Sequence, residues 1–231
     1  MCVPKLMRLI LSENNSISWL NNSPPCCTPR GGGLPTFAYV RVVPFGFHER
    51  KLGHLEGQAS NLGNLGLIAQ DRGNLDEAEK LLRESLEINR KLGRLEGQAS
   101  QLGNLGLIAK ARGNLDEAEK LLRESLEIFR KLGRLEGQAN QLGNLGLIAK
   151  TRGNLDEAEK LLRESLEIDR KLGRLEGQAA QVANLGLIAE KRGDIAQARL
   201  LWTQSRDLFA RIGMPHMVTR LQGWLDGLPP E

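Results

Sequence analysis

Forty residues recur almost verbatim three times. Residues 59–98, 99–138 and 139–178 align without a gap, and a fourth block, 179–218, begins the same way before diverging. The first and second blocks differ only at Asn61/Gln101, Gln70/Lys110, Asp71/Ala111 and Asn89/Phe129. The second and third differ only at Ser100/Asn140, Ala111/Thr151 and Phe129/Asp169. Such near-identity points to recent duplication, so sameness between blocks says little about importance, and the few differences carry the information. A period of this length admits helical solenoids and four-stranded propeller blades.

Composition decides between them. No proline occurs from Phe45 to Met214, and this span is rich in Leu, Ala, Glu, Lys and Arg, the good helix formers. Each block reads as two helices. In NLDEAEKLLRESLEINRKLG, Asn74 is placed to cap a helix, Glu77 completes a capping-box pattern, and Gly93 suits the left-handed residue that ends one. At 100° per residue, Leu75, Ala78, Leu82, Ser85, Leu86 and Leu92 share one side. The acids and bases occupy the other, with Asp76–Lys80, Glu79–Arg83 and Glu87–Lys91 at i,i+4. The charge run is therefore expected to be a solvated face.

The first helix of the block is expected from about Leu55 to Arg72, stopped by Gly73. Leu62, Leu65, Gly66 and Ala69 form a stripe expected to pack on the partner helix of the same block, with Ile68 turned toward the next block. Ser60, Asn64, Leu67 and Asp71 lie opposite, with Gly63 beside them. The motif LGNLGLIA thus places two glycines and an asparagine inside a helix, where glycine costs about 1 kcal/mol relative to alanine.

Deciding residues are Asn64-Leu65-Gly66, Gly73 to Ala78 and Ser85 to Ile88, repeated in register in four blocks over residues 49–226. They resemble the tetratricopeptide repeat (N-L-G, G-x-x-x-E-A, A-L-E-L), in the longer-period form of Leu-Gly-Asn-repeat proteins and kinesin light chains. The chain departs from that pattern in having Leu62, Ala69 and Leu82 where large aromatics are common, and Ser85 for alanine. The resemblance implies an all-α, right-handed α-solenoid of antiparallel helix pairs with a C-terminal capping helix, whose first helices line a concave groove that binds a peptide or partner protein.

Carried over residue by residue, that groove comprises Ser60, Asn64, Leu67, Gln70 and Asp71 in the first block, and Ser100, Asn104, Leu107, Lys110 and Ala111 in the second. It continues through Asn140, Asn144, Leu147, Lys150 and Thr151, then Ala180, Asn184, Leu187, Glu190 and Lys191. Asn64, Asn104, Asn144 and Asn184 would form a ladder of amides, each able to donate to and accept from an extended backbone; the alternative is that each bonds a neighbouring helix or water.

The expected organisation is a disordered or non-native-like segment at 1–46, a remnant of a truncated repeat at 47–54, and an array over 55–231. The array has helix pairs at about 55–92, 95–132, 135–172 and 175–212, and a capping helix at about 215–226, where Pro215 suits the first helical position. Position 89/129/169/209 points to the buried side of the second helix, so Asp169 is expected to be partly exposed or to meet a basic side chain.

Several function classes are disfavoured. The formal charge of +4 comes mainly from residues 1–46, which hold Lys5, Arg8, Arg30 and Arg41 against Glu13, leaving no basic stripe for nucleic acid. No stretch is long enough to span a membrane, and Arg8 and NNSPPCC spoil the signal-like start. Cys2, Cys26 and Cys27 lack zinc-site spacing, and the cysteine-free body fits a cytoplasmic location. No catalytic constellation, metal or cofactor is expected. The leading expectation is a protein–protein interaction scaffold that is not an enzyme. The alternatives are a ligand-sensing regulatory module of a bacterial-type signalling protein, or a truncated non-functional fragment. Oligomeric state is left open, with self-association through an uncapped N-terminal end as one form.

Overall fold

The computed structural model describes residues 9–11, 17–19 and 45–229, with side chains from Gly53 onward. Two units are distinguished, Met1–Leu55 and Glu56–Glu231. In the first, strands β1 (Leu9–Leu11) and β2 (Ile17–Trp19) pair antiparallel, Leu9 opposite Trp19. Cys2, Cys26, Cys27 and the rest of 1–44 lie outside the described residues, so the expectation for 1–46 falls largely outside them.

Among the described residues the array is all helix: α1 (Phe45–Asp71), α2 (Leu75–Lys91), α3 (Leu95–Ala111), α4 (Leu115–Lys131), α5 (Leu135–Thr151), α6 (Leu155–Lys171), α7 (Leu175–Lys191), α8 (Ile195–Arg211) and α9 (Pro215–Asp226). Successive helices pack pairwise, and α3 touches α5 as α5 touches α7. This is an all-α solenoid closed at its C-terminal end by α9.

One turn is used eight times. Gly73 has φ +77°, its N–H meets Gln70 O at 2.9 Å, and Asn74 N–H reaches back to Ala69 O at 2.9 Å, which is the Schellman pattern. Asn74, Asn114 and Asn154 do occupy N-cap positions, but none caps with its side chain. The expected capping box is therefore absent. The backbone does not forbid it, since Asn74 at φ −84°, ψ 73° is held almost as Asp194 is at φ −84°, ψ 79°. Only Asp194, among the described N-caps, accepts from the helix, from Gln197 N–H at 3.0 Å. Gly53 stands where Gly93, Gly133 and Gly173 turn, yet it lies inside α1 without a positive φ. The expected remnant at 47–54 is thus continuous with the first helix, because glycine permits the left-handed turn and does not compel it.

Two glycine series receive distinct explanations from packing. A Cβ on Gly66, Gly106 or Gly146 would lie 2.8 Å from Cγ of Leu82, Leu122 or Leu162 on the partner helix of the same unit. On Gly63, Gly103 or Gly143 it would lie 2.8–2.9 Å from Nε2 of Gln101, Gln141 or Gln181 on the next unit's first helix. In the last unit both members change together: Ala183 replaces the glycine and Leu221 the glutamine, and the two share one core cluster. Gly143→Ala should therefore lose its gain in helix propensity of about 1 kcal/mol to overpacking of about 1–3 kcal/mol. Adding Gln181→Leu should restore stability, and a double-mutant cycle on urea midpoints reads the coupling; strict additivity would refute it.

The core runs between units. Leu102, Leu105 and Ile108 of α3 cluster with Ala78, Leu82 and Leu86 of α2, and Leu142, Leu145 and Ile148 of α5 do the same with α4. This corrects the expected contacts. Gly66 and Ala69 meet the partner helix of their own unit, but Leu62, Leu65 and Ile68 belong to a face that, in later units, packs on the preceding one. A helical wheel shows which residues are buried and not which neighbour buries them. Ser85, Ser125, Ser165 and Ser205 are fully buried and donate to the carbonyls of Ala59, Ala99, Ala139 and Ala179 at 2.6–2.8 Å.

The charge run also does more than face solvent. Arg112 binds Asp76 at 2.5 Å and Glu79 of the preceding unit, and Arg152 and Arg192 repeat the arrangement with Asp116/Glu119 and Asp156/Glu159. Of the expected intrahelical pairs Glu79–Arg83 forms at 2.7 Å, whereas Glu87 meets Arg90. Hydrogen bonds from arginines hold three glutamates below the usual range: Arg112 and Arg83 act on Glu79, Arg123 and then Arg152 on Glu119, and Arg192 and Arg163 on Glu159. Their stabilisation is present above the ordinary value and is lost as pH falls through the lowered one. Because the groups are largely solvated, Arg152→Ala should cost no more than about 1 kcal/mol at pH 7. A loss of several kcal/mol in chemical denaturation would contradict this.

Candidate functional site

The side of α3, α5 and α7 opposite their packing stripes forms an open, polar depression of about 390 Å³. Asn104, Asn144 and Asn184 line it with Leu107, Leu147 and Asn140. The helix repeat brings one asparagine per unit to the same height, and all three are half-buried. None of the three amides makes a hydrogen bond to another described residue. Bare backbone at Gly103 and Gly143 forms part of the lining, as do Gln141 and Gln181, whose Oε1 atoms are buried without a partner.

The other expected groove residues are distributed unevenly. Ala180 joins the depression, and Leu187 is half-buried but outside its lining. Ser60, Asn64, Leu67 and Asp71 of α1 are exposed and Gln70 half-buried, none of them in the depression. Lys110 and Lys150 are half-buried in the last turns of α3 and α5, while Ala111, Thr151, Glu190 and Lys191 are exposed. Burial lowers the pKa of both lysines, and for Lys150 the charges of Lys191 and Lys110 add to this. Neither lysine has an ion-pair partner among the described residues.

Ser100 belongs to a second depression of about 460 Å³, which shares Asn140 with the first. Its lining is part apolar (Phe129, Leu135, Leu172) and part charged, with Arg134 bound to Glu96 at 3.0 Å. Sequence reasoning missed this place and the glutamines. Phe129 was visible as a difference between blocks, and the paired change to Ala183 and Leu221 was the available signal for the glutamines.

Asp169 takes the position of Phe129 one unit on and is 1% exposed, so the expectation of partial exposure fails. It does meet a basic side chain, Arg174, at 3.3 Å. Burial raises its pKa, against the opposing charge of Arg174 and a Gln181 hydrogen bond. Asn89, at the same place two units earlier, is also buried and donates to Ser85 O at 2.9 Å.

No group of His, Cys, Asp and Glu side chains among the described residues is arranged to hold a metal, and no described helix is long and apolar enough to cross a membrane. The paired helices and their regular stacking define a helical-repeat solenoid. Comparison with protein families matches the tetratricopeptide repeat at residues 57–131 and 97–171. The chain belongs to the tetratricopeptide-repeat family, and by class it is a protein-interaction scaffold. Curated protein sequences return no match.

Solved structures agree on the fold. A putative kinesin light chain of Podosopora anserina with nearly identical TPR-like repeats is 23% identical, with a TM-score of 0.57, covering 72% of this chain and 86% of that one. A signal transduction ATPase with numerous domains and a tetratricopeptide repeat sensor, from Pyrococcus horikoshii, is 20% identical with a TM-score of 0.65, over 74% of this chain and 27% of that one. A Rap protein complexed with competence and sporulation factor is 14% identical with a TM-score of 0.65, over 77% and 51%.

Proposed function

We propose that the concave face of α3, α5 and α7 binds an extended peptide segment of a partner protein, with Asn104, Asn144 and Asn184 holding its backbone. The observation that carries this reading is three half-exposed amides in one depression with no partner of their own. A polar group in a crevice that forgoes an internal hydrogen bond is available to an incoming one, and a backbone presents both donors and acceptors. Leu107 and Leu147 supply apolar contact between the amides. The unpaired Lys110 and Lys150 at the groove's edge favour carboxylate side chains on the ligand.

The reading implies no catalysis, cofactor or metal, and a cytoplasmic setting. A second reading, a ligand-sensing module of a signalling protein, draws on the likeness to the archaeal repeat sensor. It places ligand on the same face. Peptides selected on the full chain from a random display library, each carrying a photoreactive group, are expected to cross-link to α3, α5 and α7. Cross-links confined to α2, α4 and α6 would overturn the proposal.

A further inference from the structure

Helix α1 exposes what every later first helix buries. Leu105 and Ile108 are 3% and 1% exposed against the preceding unit, whereas Leu65 and Ile68 are 51% and 46% exposed. Arg112, Arg152 and Arg192 each hold an Asp and a Glu of the preceding second helix, yet Arg72, in the same register, is exposed and has no ion pair among the described residues. Gly97, Gly137 and Gly177 each lie under the side chain of Asn89, Phe129 or Asp169, but around Gly57 nothing comes within 4 Å. Three kinds of complementarity are therefore unfilled on one face: apolar surface, an arginine, and a slot over bare backbone.

The missing element is defined by its three filled copies. In α4 the matching residues are Asp116, Glu119, Leu122, Leu126 and Phe129, a helix of pattern D-x-x-E-x-x-L-x-x-x-L-x-x-F. Among the described residues no helix offers such a face. Helices α2, α4 and α6 are covered by α3, α5 and α7, and α8 is covered by α9. Helix α8 also has Ala196 and Arg199 where the acidic pair stands. Residues 1–44 contain a single acid, Glu13. We propose that the outer face of α1 docks an amphipathic helix of another protein, with an acidic pair at i,i+3 for Arg72, leucines over Leu65 and Ile68, and a large apolar side chain in the Gly57 slot. This site is separate from the concave groove.

A labelled synthetic peptide with the sequence of residues 114–132 serves as the probe, titrated into the full chain by fluorescence anisotropy. Binding is expected, weakened tenfold or more by Leu65→Ser with Ile68→Ser. Arg72→Glu should weaken it comparably, and a peptide with Asp116→Lys and Glu119→Lys should restore binding to that variant. Gly57→Leu should fill the slot and block the peptide while leaving circular dichroism and thermal unfolding intact, since the added side chain meets open space. Asn104→Ala with Asn144→Ala should leave this binding unchanged, which separates it from the groove. No binding, or equal binding to the Leu65/Ile68 variant, would overturn the proposal. A dimer in sedimentation that the Leu65/Ile68 variant abolishes would overturn it in favour of a second copy as the occupant.

Discussion

Asp169→Phe is expected to stabilise the array by about 1.5–3 kcal/mol at pH 7, the value of burying a phenylalanine side chain. The substitution is rehearsed within the molecule. Phe129 fills the equivalent place one unit earlier against Gly137, and Phe209 fills it one unit later. Asp169 instead brings a carboxylate into a site that is 1% exposed, where Oδ1 faces Arg174 at 3.3 Å but accepts no hydrogen bond. Its partner Arg174 would not be stranded, since it also reaches Asn140 Oδ1 at 3.2 Å and Glu136 at 3.7 Å.

Protonation provides an independent check with a definite sign. Burial raises the folded-state pKa of Asp169 above the ordinary value of 3.8. Its contribution to stability is therefore greatest below that value and is lost as pH rises through the raised one. Asp169→Asn, which copies Asn89, should match the parent in urea midpoint at low pH and exceed it increasingly as pH rises. A variant less stable than the parent at pH 7, or a gap that does not change with pH, would show that the Arg174 pair outweighs the burial of charge. The opposite sign applies to Glu79, Glu119 and Glu159, so the parent protein should have its stability eroded from both sides. Because stability in such arrays is a sum of unit and interface contributions, the effect should centre on α6 and α7.

Much of this architecture was legible because the repeat shows the same experiment several times. The helix pairs follow from the apolar spacing and from a glycine every twenty residues between Gly73 and Gly213, whose left-handed turns the structure contains. Packing partners were less legible. Leu65 and Ile68 look the same in sequence as Leu105 and Ile108, and only assembly shows that one pair is exposed and the other shut against a neighbouring unit. The capping box was a matter of side-chain choice that residue type does not settle: Asn74 makes no cap hydrogen bond, whereas Asp194, at almost the same backbone angles, does.

The site was read by face and missed in depth. Helical spacing put Asn104, Asn144 and Asn184 opposite the packing stripe, where they are found. The glutamines below them were passed over because each lies three residues before its asparagine, at the edge of the wheel rather than on the exposed arc. Their fit over Gly103 and Gly143 depends on an inter-helix distance that spacing does not encode. Asn64 shares the motif but not the depression, since that is built by α3, α5 and α7.

The amide ladder predicts opposite changes in binding and stability. Asparagine is a poor helix former and these three make no internal hydrogen bond, so replacing Asn104, Asn144 and Asn184 by alanine should raise the thermal midpoint. Each lost contact to a bound backbone is worth roughly 1 kcal/mol, and three together correspond to about a hundredfold in affinity. The deciding measurement is isothermal titration of the full chain and of the triple variant with a display-selected extended peptide. A dissociation constant raised about a hundredfold, in a variant at least as stable as the parent, is the predicted result. An unchanged dissociation constant, or the failure of any extended peptide to bind, would contradict the assignment of the concave face as a peptide-binding groove.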